Sequence, residues 1–264
     1  MKIGRFILLQ VNGLFPFLYP LQHIFKRFNF TRGVIYYYKD LNTYIQKNKK
    51  QKTQFPFKFS NAYPIYFDRF EDAGEVPKHY FHQDLWAARR IYKSGVKNHY
   101  DLGSRLDSFI SHCLVFCKVT MIDVRPLAAN IGNLDFIQSD AMNMSNIRSN
   151  SIQSLSALHA IEHFGLGRYG DPIDPEGYIK AINEMKRVVK KNGSIYFATP
   201  IGKQRLEFNA HRIFNPQYIV ELFDGYTLKE FSAVDDENVY IENANIKKFK
   251  NATYSCGLFH FIKE

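Results

Sequence analysis

Asp101-Leu102-Gly103-Ser104-Arg105-Leu106-Asp107 joins a short apolar run at 97–102 to a helical pattern at 106–116. An acid, a glycine and a helix start in succession read as a strand-to-helix turn. The glycine lets the backbone come close to a ligand, and the helix N-terminus presents free N–H groups. Before this turn, residues 79–94 place Phe81, Leu85, Ala88 and Tyr92 on one helical face, with Gly95 as a stop. After it, apolar runs at 117–123, 134–138, 152–159 and 194–199 alternate with helical stretches at 175–190 and 215–223. The run at 194–199 is entered through Asn192-Gly193 and stopped by Pro200, and runs at 226–234 and 254–262 look like a final antiparallel pair. This alternation predicts an α/β fold: a mostly parallel sheet with helices on both faces. Ligands of such sheets sit outside the carboxyl ends of the strands. The residues to watch are therefore Asp101 to Arg105, Asp123, Asp140 to Met142, His159 to Asp174, and those beyond Pro200.

Twenty residues beyond Gly103, Asp123 ends the second predicted strand, where a carboxylate can accept both hydroxyls of a ribose. Asp140 ends the third, within reach of an adenine amino group. Two adenosine-containing cofactors compete for this pattern. NAD(P) needs the glycine fingerprint G-x-G-x-x-G under its pyrophosphate, and the fingerprint is absent. S-adenosylmethionine has no phosphate and needs fewer glycines. An acid before the first glycine suits its charged methionine end and would repel a pyrophosphate.

With these residues the chain, over roughly 79–262, resembles the class I S-adenosylmethionine-dependent methyltransferases. The matching positions are Asp101 and Gly103 in the first motif, Asp123 as the ribose acid, Asp140 and Ala141 in the adenine region, and Ser156-Ala-Leu-His-Ala-Ile-Glu-His163 at the fourth strand and its exit. Arg187-Val-Val-Lys-Lys-Asn-Gly193 looks like the turn before strand five. The first motif departs from the family: Arg105 and Asp107 stand where its second and third glycines are usual. The resemblance implies a Rossmann-like, seven-stranded sheet of order 3-2-1-4-5-7-6 with strand 7 antiparallel. It implies cofactor contacts from Asp101, Gly103, Ser104, Arg105, Asp123, Asp140 and Ala141. A narrower resemblance rests on Glu162-His-Phe-Gly-Leu-Gly-Arg-Tyr-Gly-Asp-Pro-Ile-Asp-Pro-Glu-Gly177 and Phe208-Asn-Ala-His-Arg-Ile-Phe214. These stretches look like a little-characterised methyltransferase-like family, named after a domain of unknown function first noted in nematodes. Its bacterial members often occur beside surface-polysaccharide genes.

Beside the expected sulfonium, His159, Glu162 and His163 follow the fourth strand, where a His or Glu could take a proton from an acceptor hydroxyl. His-x-x-Glu-His also reads as an inverted zinc-protease motif, which needs both histidines on one helix; a strand position for His159 argues against it. A divalent ion on His159, Glu162 and His163 is the remaining metal reading, against the expectation of no metal. Gly165, Gly167 and Gly170 around Arg168-Tyr169 form a loop that can approach a ligand. Arg168, Tyr169, Asp171, Asn209 and Arg212 are candidate substrate contacts, and His211 a further candidate base. Asp174 reads as a helix cap and Trp86 as core. His82 and Asp84, on the leading helix, are placed to close over the cofactor.

The 264 residues carry a net charge of +10 with 45% hydrophobic and 23% charged residues, which excludes wholesale disorder, collagen and coiled coil. Three scattered cysteines make no disulfide framework and imply reduced thiols in a cytoplasmic protein. Residues 1–60 hold 11 Lys and Arg against one acid, Asp40, while the remainder is balanced at 24 against 24. We therefore read 1–60 as a basic, aromatic extension, a lid or a segment lying on an anionic membrane face, and 61–264 as the methyltransferase-like domain. The apolar run at 6–25 is broken by Gln10, Asn12, Pro16, Pro20 and Gln22, which argues against a membrane span. Residues 47–60 read as a linker.

The functional expectation is methyl transfer from S-adenosylmethionine to a hydroxyl of a sugar or glycan precursor, in the cytoplasm or on the inner membrane face. The alternatives are a non-catalytic binding or scaffold protein on the same fold, and an RNA methyltransferase suggested by the basic segment.

Overall fold

The computed structural model describes residues 19–51, 54–55, 57–74, 76 and 78–264. They form two compact units that divide between residues 75 and 76.

The first unit is built on α1 (Tyr19–Gln51). The helix runs through 47–51, where a linker was expected. Lys, Asn and Gln without Gly or Pro give it no reason to stop, and Lys49 and Lys50 in the last turn complement its dipole. Residues 62–70 return along α1. Gly33 makes room for them: a Cβ there would meet the Tyr66 carbonyl oxygen at 2.1 Å. Phe30 meets Tyr66 edge-on at 5.3 Å, Arg69 pairs with Asp40, and the Arg69 guanidinium covers Tyr36. Phe28, Ile35 and Tyr38 stay exposed. The lid or membrane-surface role expected of 1–60 falls in part on residues 1–18, which lie outside the described residues. No helix among the described residues is long and apolar enough to cross a membrane.

In the second unit α2 (Lys78–Ser94) leads into β1 (Asn98–Leu102), α3 (Ser108–Leu114), β2 (Lys118–Asp123), β3 (Leu134–Gln138) and β4 (Ile152–Leu158). There follow α4 (Gly177–Val188), β5 (Val189–Ile201), β6 (Arg205–Glu207), β7 (His211–Ile213) and α5 (Pro216–Leu222), then β8 (Tyr226–Val234), β9 (Tyr240–Ile241) and β10 (Ser255–Lys263). The main sheet has the order β3-β2-β1-β4-β5-β10-β8-β9. That is the expected topology with β10 antiparallel between β5 and β8, and with one more strand, β9, at the edge. Along β5, Ile195 and Phe197 enter one apolar layer and Tyr196 and Ala198 the other, so both faces of the sheet are buried. Helix α4 stands on the first layer through Ile182 and Met185, and α2 on the second through Trp86 and Ile91.

Two local features depart from the sequence reading. Asn192-Gly193 is an irregularity within β5 rather than its entrance. Asn192 has φ +59°, and the β4–β5 register shifts opposite it between Ile152 and Ser154. Residues 205–213 form a separate two-stranded hairpin, β6–β7, whose three-residue strands are too short to show a period.

Candidate active site

The parallel register brings the strand exits level. Asp101 lies opposite Met121 and Ser156, Leu102 opposite Ile122, and Asp123 opposite Gln138. At the β1 exit Gly103 has φ +77°, and a Cβ on it would meet the Ala160 Cβ at 2.9 Å, so this turn needs glycine. A buried polar chain braces the turn from behind. Asp101 accepts the Ser104 N–H and the Ser156 hydroxyl; with that proton committed, the Ser156 oxygen receives the N–H of His99 Nε2, and His99 Nδ1 accepts from Ser154. Burial pushes the Asp101 pKa up to about 6, against these hydrogen bonds, and that of His99 down to about 3. Asp101 does not border the cavity; it holds the shape of the turn that does.

In front of the turn is a cavity of about 400 Å³, bordered by Gly103, Ser104, Arg105, Asp123, Asp140 and Ala141 on the cofactor side expected from the sequence. Asp140 Oδ1 accepts the Met142 N–H at 2.8 Å, fixing the turn after β3. Asp123 is engaged by one neighbour. Its Oδ1 accepts the Arg125 backbone N–H at 2.8 Å and Nε–H at 2.9 Å, and its Oδ2 accepts Nη2–H at 2.7 Å. The Arg125 guanidinium also lies 4.9 Å over the ring of Tyr169, which Arg168 approaches to 5.3 Å. Arg125 thus ties the β2 exit to the loop after β4.

His159 is the first residue past β4, with φ +50°, followed by a 3-10 turn at Ile161–His163. Its Nδ1 lies 2.6 Å from Gln83 Oε1. The Gln83 amide is oriented by its Nε2–H, which donates to Asp84, itself bonded by the Ser108 hydroxyl. The amide oxygen must therefore face His159, so Nδ1 carries the proton and Nε2 keeps its lone pair. Nε2 is 3.4 Å from His79 Nδ1. His163 borders the cavity and donates its Nδ1–H to the Ala210 carbonyl at 2.7 Å, which leaves Nε2 free to accept. Burial holds its pKa near 4, so it is neutral at pH 7. Glu162 points inward. It is 1% exposed, its Oε1 has no hydrogen-bond partner, and burial pushes its pKa up to about 8. The ligand atoms of His159, Glu162 and His163 do not form a converging metal-ligand group.

The glycine loop is held by its own residues. Asp171 accepts the N–H groups of Gly165, Gly167 and Tyr169. Arg212 is 8% exposed and donates to the carbonyls of Glu162, Phe164 and Pro175, so it pins the loop rather than waiting for a substrate. Arg168 donates to the Ala210 carbonyl. Tyr169 and Asp171 border the cavity; Arg168, Asn209, His211 and Arg212 do not. His211 stands 3.1 Å from Glu207 and 5.2 Å from the Tyr254 ring. Asp174 was expected to cap α4; instead it accepts the Glu176 N–H at 2.9 Å in the turn ahead of the helix, whose N-cap is Glu176.

From α2 the cavity receives Tyr80, Gln83 and Asp84. Of the two α2 residues singled out from the sequence, Asp84 borders the cavity. His82, however, stacks on Tyr240 at 5.8 Å and is not among the cavity residues. A helical wheel anchored on the buried Trp86 would have put Gln83 on the inward face, since residues three apart share a face. Arg125 had no signal beyond its place two residues after a strand end.

Residues 129–258 match the protein family described as Caenorhabditis protein of unknown function, DUF268. No curated protein matches the chain. Among solved structures, the cyclase SpnF shares 14% identity, with 69% of this chain and 80% of that chain covered and a TM-score of 0.53. A putative sarcosine dimethylglycine methyltransferase from Galdieria sulphuraria shares 12% identity, with 70% and 86% covered and a TM-score of 0.52. One of the two is named for a cyclisation, so the reaction is a question for the site, not the fold. The chain has the class I S-adenosylmethionine-dependent methyltransferase fold, and its residues 129–258 carry the signature of the DUF268 family.

Proposed function

We propose that this protein is an S-adenosylmethionine-dependent methyltransferase acting on a hydroxyl of a sugar or glycan precursor. The observation that carries the reading is the cavity itself. It is of small-molecule size, lies at the carboxyl ends of β1, β2, β3 and β4, and is lined by Gly103, Asp123, Asp140 and His163. The donor set suits an adenosine cofactor: carboxylates for hydroxyls and an amine, and a glycine at the turn that borders the cavity.

S-adenosylmethionine, when bound, supplies an electrophilic methyl carbon with a thioether as its leaving group. The chain's own residues do the rest. Asp123 exchanges Arg125 for ribose hydroxyls, since a carboxylate already holding three N–H groups has little accepting capacity left. Tyr169 follows Arg125, so the loop after β4 moves as the cofactor enters. His163 Nε2 takes the proton from the acceptor hydroxyl as the new O–C bond forms. The bond to sulfur breaks with its electron pair left on sulfur, and positioning supplies most of the rate. His163, Tyr169 and Asp171 give the acceptor end a polar wall, which supports a hydroxyl-rich substrate. The exposed Phe28, Ile35 and Tyr38 on α1, with its basic last turn, support work at an anionic membrane face.

The Arg125–Asp123 pair also favours a second reading, a fold that has closed its own cofactor site and serves as a binding module. Calorimetry with S-adenosylhomocysteine separates the two. Binding should weaken by about 10–100-fold in Asp123→Ala, the loss of charge-assisted hydrogen bonds. It should tighten by about fivefold in Arg125→Ala, which frees the carboxylate from a partly exposed ion pair. No heat from the wild-type chain at millimolar ligand would leave the binding-module reading standing. For the membrane face, the full chain should float with phosphatidylglycerol vesicles, and Phe28→Ser with Ile35→Ser should sink. Unchanged flotation of that variant, or a salt-sensitive RNA gel shift in place of flotation, would remove the membrane reading.

A further inference from the structure

The start of α2, the exit of β4 and the start of β10 bring His79, His159 and Cys256 together beside the cavity. One ligand atom from each lies within 4.8 Å of the others. His79 and Cys256 are buried, at 4% and 0% exposure, and His159 borders the cavity. We infer that these three side chains bind a zinc-like divalent ion with one coordination position left open toward the cavity.

Four observations support this site. The chemistry of the donors is that of zinc: a sulfur and two imidazoles suit a borderline-soft ion, and three protein ligands with a fourth position open is the usual plan of a zinc centre that does chemistry. The spacing fits. Zn–N bonds of about 2.05 Å at a tetrahedral angle place two nitrogens about 3.3 Å apart, and His79 Nδ1 and His159 Nε2 are 3.4 Å apart. The outer support is in place: His159 donates its other ring N–H to Gln83, which Asp84 and Ser108 orient in turn, and a metal-binding imidazole is normally held in this way. Finally, His159 adopts a left-handed backbone conformation that a side chain other than glycine takes up at a cost, as happens where a residue must be aimed.

Aromatic rings shield the trio. Tyr254 stacks on His79 at 5.2 Å, and the Tyr80 ring lies 5.2 Å from His159. Binding the ion releases the thiol proton of Cys256 and turns His79 from donor to ligand. What the ion would do rests on the methyl-transfer reading. An acceptor hydroxyl on the open position becomes more acidic, passes its proton to His163 and attacks the methyl carbon as an oxygen anion, while the sulfur of the leaving group keeps the bonding electrons.

The test uses the full-length protein, stripped of metal under reducing conditions and titrated with Co²⁺. The expected result is a tetrahedral cobalt spectrum with a sulfur-to-cobalt charge-transfer band, saturating at one ion per chain. Cys256→Ser should abolish the charge-transfer band, and Cys113→Ser with Cys117→Ser should keep it. Gln83→Ala, which touches no ligand bond, should weaken Co²⁺ and Zn²⁺ by about 10–100-fold with the spectrum retained at saturation. A wild-type chain that shows no tetrahedral spectrum, or a charge-transfer band that survives Cys256→Ser, overturns the site. Calorimetry of S-adenosylhomocysteine on the same metal-free protein keeps the two readings apart. Nucleoside binding without cobalt binding removes the metal alone, and cobalt binding without nucleoside binding upholds the metal and removes methyl transfer.

Discussion

Between pH 6.5 and 4.5 the second unit should lose most of its stability. His79, His163 and His260 have pKa values pushed down to about 4 by burial, His99 to about 3, and His159 lies well below its ordinary value. A folded-state pKa below the unfolded one means that the unfolded chain takes up the proton first. The stability these neutral imidazoles contribute is therefore complete above about pH 6.5 and is lost as the pH falls toward their folded values. Two buried carboxyls act in the opposite sense: Asp101, raised to about 6, and Glu162, raised to about 8, bind protons in the folded state first and gain stability on the same descent. Near pH 5 the balance leaves the unfolded chain with roughly three more protons, a slope of about 4 kcal/mol per pH unit. A domain stable by about 5–15 kcal/mol cannot absorb that for long. Urea denaturation at half-unit steps from pH 7.5 to 4.5 reads it directly. A midpoint that stays level or rises from pH 6.5 to 5 would show that these histidines are not held neutral in the fold.

Gly165→Ala should be the most damaging single methyl in the protein's loops. Gly165 has φ +76°, and a Cβ there would lie 1.9 Å from the Asp174 carbonyl oxygen and 2.9 Å from its carbon. Both neighbours are backbone, bound by the Asp174 N–H donated to the Gly165 carbonyl at 2.9 Å. Left-handed backbone costs an alanine about 1–2 kcal/mol, and an overpacked contact about 1–3 more. The expected loss is about 2–5 kcal/mol, or about 10 °C in Tm for a unit of this size. Gly170 is the control: its φ is +83°, but nothing lies within 4 Å of the Cβ it would gain. Gly170→Ala should cost only the backbone term. If the two variants melt together, close approach at Gly165 is not what shapes the loop.

Much of the fold was legible because both its signals are local. β3 and β8 have the limits expected from their apolar runs, and the runs at 226–234 and 254–262 form the expected antiparallel pair. That Asp123 and Asp140 would border one cavity was legible for the same reason: an acid at a strand end is visible in one dimension. The acceptor side was not. Arg212 and Arg168 read as clamps because sequence cannot show that backbone carbonyls already use their N–H groups. Cys256 read only as a reduced thiol because the residues near it in space, His79 and His159, are 177 and 97 positions away in the chain. Such meetings are made by sheet order, and no spacing records them.

That order sets a schedule for synthesis. β10 is made after β8 but is slotted between β5 and β8, so β8 emerges from the ribosome with only the two-residue β9 as a neighbour until residues 255–263 have followed it. The polypeptide must wait, its half-built platform open along one flank, and Cys256 is delivered only with that closing piece. A nascent chain stalled before residue 255 should be prey to chaperones and proteases while already holding every residue that borders the cavity.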